Sequence, residues 1–207
     1  EAGASYILTL SNQASKVGNY ISSTEKALNL GVYGTDLSYA STYIMKQETM
    51  RYLESSKKLI DELEISTTFN VDYAERVENN LDTRDSLIAI ISDSFIDTWG
   101  YLVENEQDKL AILVLSGSYI EGIYITVQIA ITAADNTSFL EIIAHQKKSL
   151  NKLIGVIEPI REDADISDIY KSLTDLAKVY EDVGDTLTDE QLEKILSIID
   201  PLRESIV

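Results

Sequence analysis

The chain predicts an all-α fold, a single antiparallel bundle of about seven to nine helices formed by residues 1–207. Three observations carry this expectation. The stretch 108–134, DKLAILVLSGSYIEGIYITVQIAITAA, has Glu121 as its only charge after Lys109 and puts apolar residues on every side of a 3.6-residue helix. Proline is confined to Pro159 and Pro201, so helical runs go uninterrupted elsewhere. Most of the remaining chain repeats apolar residues at intervals of three and four, the spacing of one helical face.

The 108–134 helix is therefore the central one, and others must wrap it. A membrane span is its first rival, because about 20 apolar residues suffice to cross a bilayer. Glu121 opposes that reading, since a carboxylate at mid-span costs roughly 2.5–3.5 kcal/mol. Ser116, Ser118, Thr126, Gln128 and Thr132 dilute the rest, and no Lys or Arg cluster flanks the stretch to orient it. Core positions on the central helix are Leu113, Gly117, Ile120, Tyr124 and Ile131. Gly117 and Gly122 mark close approach of a neighbouring helix, because helix propensity alone favours Ala by about 1 kcal/mol.

The other elements follow in order. Residues 2–10 predict a short helix, with Tyr6, Ile7 and Leu10 on one face, and residues 11–15 a turn. Helical spacing resumes over 17–30 and meets Gly31 and Gly34, which read as a stop, a kink or a close contact. Thr35 or Asp36 can cap a long helix reaching Leu63. Residues 64–70 lack helical spacing and read as a loop, with Asn70 capping a shorter helix over 71–81. Asp82 or Thr83 starts the next, whose core stripe is Leu87, Ile90, Ile91, Ser94, Phe95, Thr98 and Leu102. Polar residues 104–108 make a tight link into the central helix, which forces the two to lie antiparallel. Asn136 can cap a helix through Phe139, Ile143, Leu150 and Ile157, ending near Pro159. Ile166 to Tyr180 form another amphipathic stripe. Thr188 and Gln191 have capping-box spacing ahead of the last helix, in which Pro201 sits late.

Composition excludes several functions. Seventeen basic residues against thirty-five acidic ones give a net charge of −18, which repels nucleic acid and anionic lipid. Cysteine is absent, which removes disulfides, thiol nucleophiles and thiolate metal sites. His145 is the one histidine, too few for a di-iron bundle or the usual zinc sites. The acidic segment 182–193 fails as a calcium loop, because Leu187 stands where glycine is required. The sequence predicts no metal site, no cofactor and no catalytic residue of diagnostic strength.

Two clusters remain. Glu121, with Tyr124 one turn on, is the carboxylate expected to be buried; it must be paired, protonated or open to a pocket. Tyr33, Asp36, Tyr39 and Tyr43 recur at helical spacing with small residues between them. They suit either a polar layer inside the bundle or a pocket for a ligand with polar groups. Together Tyr33, Asp36, Tyr39, Tyr43, Glu121 and Tyr124 are the candidate ligand-binding residues, with the Tyr33–Tyr43 region the expected source of a partner for Glu121.

Five segments carry a resemblance: KALNLGVYGTDLSYAS at residues 26–41, YLESSKKLIDELEI, RVENNLDTRDSLI, SGSYIEGIYIT at 116–126, and DTLTDEQLE. With them the chain resembles, over nearly its whole length, a family of uncharacterised cell-envelope lipoproteins of Bacteroidota; residues 31–41 are the most specific part. The resemblance implies a signal peptide and a lipid-modified cysteine ahead of this chain. It implies a place on the periplasmic face or cell surface, with membrane association only through that N-terminal lipid anchor. No catalytic residue comes with it. Two function classes stay open: a non-catalytic helical module binding a protein partner or small ligand, and an enzyme using Asp36 and Glu121 as acid and base.

Overall fold

The computed structural model describes residues 4–65 and 71–207. Residues 66–70 of the loop expected at 64–70, and the Asn70 cap, lie outside the described residues. The fold is all-α, with nine α-helices among the described residues and no strand: α1 Ser23–Thr42, α2 Lys46–Glu62, α3 Val71–Asn79, α4 Arg84–Glu104, α5 Asp108–Thr132, α6 Thr137–Ala144, α7 Lys147–Ile157, α8 Ser167–Glu181 and α9 Asp189–Glu204. The chain divides into two compact units, Tyr6–Ser118 and one built from Tyr119–Val207.

In the first unit, α1 is the enclosed helix. Every residue from Ala27 to Gly34 is buried, so no face is left for solvent. It begins at a capping box, in which Ser22 Oγ accepts from the Glu25 N–H and the Glu25 carboxylate accepts from the Ser22 N–H. It then runs straight through Gly31 and Gly34, the positions where a stop or kink was an option. The reason is contact. A Cβ on Gly31 would lie 2.0 Å from the Val114 carbonyl oxygen of α5, and one on Gly117 would lie 2.0 Å from the Leu28 carbonyl oxygen of α1. The two backbones touch where side chains are missing, and Thr35 Oγ1 lies 2.9 Å from Ser118 Oγ beside the crossing.

The break falls later than the sequence predicts, between Thr42 and Lys46. Ile44 turns the chain there with φ of 57°, a conformation disfavoured for a β-branched residue. Asp36 is thus a mid-helix residue with no exposure, rather than a cap. Upstream, residues 4–7 are not helical and Leu8–Leu10 and Ala14–Gly18 are 3-10 turns, so residues 4–10 do not form the helix expected over 2–10, and the helix expected from residue 17 starts at Ser23.

On α4 the core stripe is buried at Leu87, Ile90, Ile91, Thr98 and Leu102. Residues 105–107 link it to α5, with Glu106 at φ of 58°. Along α5, Leu113, Gly117 and Ile120 are buried as expected, whereas Tyr124 is half-buried and Ile131 is 48% exposed. Ile131 lies in the last turn, on the side opposite the buried Ile129 and Ala130. Both α4 and α5 are long and apolar enough to cross a membrane by length and composition; 61% of the α5 window is buried inside the structure, but only 28% of the α4 window.

In the second unit, the single helix expected from Asn136 to about Pro159 is two, broken at His145 and Gln146. Asn136 makes no side-chain cap; Asp135 Oδ1 accepts from the Thr137 N–H at 3.1 Å instead. Tyr180 is buried and donates to the Ile143 carbonyl at 3.0 Å, fastening α8 to α6. Thr188 and Gln191 form the capping box of α9, and Pro201 lies within that helix.

Candidate functional site

The sequence-predicted residues Tyr33, Asp36, Tyr39 and Tyr43 all project from α1 into one polar, aromatic layer. Tyr39 stacks near Tyr6 at a centroid distance of 4.8 Å and meets Tyr43 edge-on at 5.3 Å; Tyr33 lies between Tyr20 and Tyr52. The hydroxyls and Asp36 serve the irregular segment ahead of α1. Tyr39 Oη accepts from the Ile7 N–H at 2.9 Å, Asp36 Oδ2 accepts from the Asn12 N–H at 3.1 Å, and Tyr33 Oη donates to the Gln13 carbonyl at 3.0 Å. The Asn12 amide donates to Tyr20 Oη and to Asn29 Oδ1. A segment without regular structure has no ladder of its own, so its backbone groups need such partners. Burial raises the Tyr33, Tyr39 and Tyr52 phenols above their ordinary range and pushes Tyr6 up to about 12.

Beside this layer lies a polar hollow of about 430 Å³ that includes Ser11, Gln13, Glu48, Arg51 and Tyr52 in its lining. Its ionic groups answer each other, with Arg51 Nη1 at 2.7 Å from Glu48 Oε1.

Glu121 and Tyr124 belong to the second unit, whereas Tyr33, Asp36, Tyr39 and Tyr43 belong to the first. Glu121 is fully buried and is gripped by Arg203 of α9, Nε to Oε2 at 2.6 Å and a terminal nitrogen to Oε1 at 2.9 Å. The fork matches the carboxylate in two parallel bonds. The same guanidinium sits 4.1 Å from the Tyr124 ring centroid, so Tyr124 covers the pair by a cation–π contact. Burial raises the Tyr124 phenol, and Arg203 opposes the shift. A basic partner for Glu121 thus comes from the last helix. General acid–base chemistry needs a carboxyl within hydrogen-bond reach of a substrate. Asp36 and Glu121 both have 0% exposure, and each is engaged inside its own unit.

A different surface is open. Around α4, beside the buried stripe, runs a second apolar strip of Phe95, Ile96, Trp99 and Val103, with Ile96 at 69% exposure. Facing it across a groove of about 270 Å³ are Ala111, Val114 and Leu115 of α5, and Thr98 and Leu102 form the floor. The lining is almost wholly apolar. Sequence periodicity missed it because two adjacent apolar strips on one helix read as a single wide core face. The available signal was Trp99, the chain's one tryptophan, spaced three and four residues from Ile96 and Val103. Among the described residues no group of His, Cys, Asp and Glu could hold a metal ion.

Compared with protein-family models, with curated proteins and with solved structures, the chain matches none.

Proposed function

We propose that this chain is a non-catalytic helical binding module of the cell envelope, and that it takes its partner in the apolar groove between α4 and α5. One observation carries the reading: Ile96, Trp99 and Leu115 stand exposed together around a groove with scarcely a polar atom in it. Apolar area left in water forgoes about 25 cal/mol for each Å², and contiguous exposed patches of this kind mark interaction sites. Tryptophan is among the residues that dominate binding energy when covered. The envelope setting is supported by the resemblance at residues 26–41 and 116–126. The polar layer around Asp36 and the Glu121–Arg203 pair take a structural role in this reading, since their groups engage one another.

Nile red, a neutral apolar dye, tests the groove. It should bind with one-to-one stoichiometry to the native chain and lose binding in Ile96→Glu and in Leu115→Glu, with helicity by circular dichroism unchanged. Unaltered dye binding in both folded variants would remove the groove from the account.

A further inference from the structure

A second, inner cavity of about 30 Å³ adjoins the groove, within the same compact unit. Phe95, Thr98 and Val114 line both, so these side chains form the partition between them. The Phe95 ring closes it towards α1: a Cβ on Gly34 would lie 2.3 Å from Phe95 Cζ, so the ring tip occupies the place where that glycine has no side chain. The inner cavity is not wholly apolar. Ser56 of α2, 4% exposed, lines it, and the Ser56 Oγ has no hydrogen-bond partner among the described residues. A serine within a helix can return its hydroxyl to the carbonyl four residues back, as neighbouring Ser55 does to Arg51 at 3.0 Å. Ser56 does not, although an unpaired buried hydroxyl is costly. The other hydroxyls of that wall are engaged: Thr98 donates to the Ser94 carbonyl at 2.8 Å, and Ser94 bonds the Tyr73 phenol. Among the described residues, no charged side chain lines the cavity or the groove.

We infer that groove and cavity are one site for a small neutral amphiphile, an alcohol on an alkyl chain, whose hydroxyl bonds Ser56 Oγ once the Phe95 ring turns aside and whose chain fills the groove. This rests on the groove being the recognition surface. The groove of about 270 Å³ and the cavity of about 30 Å³ together stand at the lower end of small-molecule sites, about 300–1,000 Å³. Such sites are mostly apolar with a few placed polar groups that fix the ligand's orientation, and Ser56 is that group here. An ionised head would lose its water and meet no opposite charge. A ligand without a polar head would leave Ser56 unpaired. A folded protein partner could cover Trp99 and Leu115, but it would not reach a hydroxyl behind the Phe95 ring.

The test sets 1-octanol, 1-chlorooctane and octanoate in competition with Nile red at pH 8, where octanoate is ionised. The three share one chain; chlorooctane carries a head that donates no hydrogen bond. Octanol should bind at least about tenfold more tightly than octanoate. Ser56→Ala should cut the ratio of octanol to chlorooctane affinity about fivefold, the effect of one hydrogen bond. Phe95→Ala, with helicity by circular dichroism intact, should speed the association of octanol followed through Trp99 emission in stopped flow. Equal binding of octanol and octanoate overturns the neutral head. A ratio that Ser56→Ala leaves unchanged overturns the hydrogen bond, and a lowered unfolding midpoint in that variant then assigns the hydroxyl to a buried water. An unchanged association rate in folded Phe95→Ala overturns the ring as the partition. Bound dye that none of the three compounds displaces overturns the small amphiphile and leaves the groove to a larger partner. A chain that does not bind Nile red at all refutes the underlying reading instead.

Discussion

Replacing Gly117 with Ala sets two magnitudes against each other. In an exposed helix the change is favourable by about 1 kcal/mol, because glycine has more backbone freedom to lose. Here the new Cβ would lie 2.0 Å from the Leu28 carbonyl oxygen and 2.8 Å from its carbon. Ordinary contact needs roughly 3.5 Å, so α1 and α5 must separate by about 1.5 Å along that line. The obstructing atoms are backbone, and no rotamer change relieves them. Overpacking of this kind costs about 1–3 kcal/mol, and the rigid target places Gly117→Ala at the upper end. The expected net loss is about 2 kcal/mol. Gly155 of α7 is the control, with nothing within 4 Å of its added Cβ; Gly155→Ala should be neutral or stabilising by up to about 1 kcal/mol. Urea unfolding followed by far-UV circular dichroism measures both. A midpoint for Gly117→Ala at or above that of the native chain would refute the backbone crossing of α1 and α5.

Removing one partner of the buried Glu121–Arg203 pair should cost about 3–5 kcal/mol, whereas Glu121→Leu combined with Arg203→Met should recover most of that loss; unfolding free energies of the two singles and the double show whether it does. Glu121→Gln, which keeps an acceptor for Arg203, should be better tolerated than Glu121→Leu in the same assay. Ile44→Gly should raise stability by up to about 1 kcal/mol, because it relieves a β-branched residue held at φ of 57°; an unchanged or lowered melting temperature would count against that strain. The buried tyrosines fix an alkaline limit. Tyr6, raised from 10.0 to about 12, stays protonated in the fold while it ionises in the unfolded chain. The stability it contributes is complete below pH 10 and is lost as pH rises from 10 through 12. Absorbance at 295 nm should show ionisation of Tyr6 only as pH approaches about 12 or together with unfolding.

How much of this was legible in the sequence depends on whether the deciding contact is local. The α9 capping box is local, and Thr188 with Gln191 announces it. The α1 box, Ser22 with Glu25, has the same pattern, but it is obscured by apolar spacing that continues upstream through Val17, Tyr20 and Ile21. Gly31 and Gly117 look like punctuation in one dimension; only the partner backbone shows that each glycine is the gap the other helix fills. Glu121 had to find a partner on grounds of cost alone, yet which of the basic residues supplied it was not a local matter, and Arg203 lies 82 residues away. The tyrosines of α1 were legible as a cluster, while their use in holding residues 7–13 was not, because the apolar spacing of residues 2–10 reads as a helix that would satisfy its own backbone groups. The groove was the least legible. Ile96 and Val103 are ordinary apolar residues in a helix, and only burial separates them from Thr98 and Leu102.

Trp99 is the chain's one tryptophan and stands on the groove, so its fluorescence reports directly on the recognition surface. Titration with Nile red while Trp99 emission and its quenching by acrylamide are followed is the most direct measurement. Occupation of the groove predicts a blue shift and protection from quenching that saturate together with dye binding. Dye that saturates the chain and leaves Trp99 emission and quenching unchanged is bound elsewhere, and would contradict the assignment of this groove as the binding site.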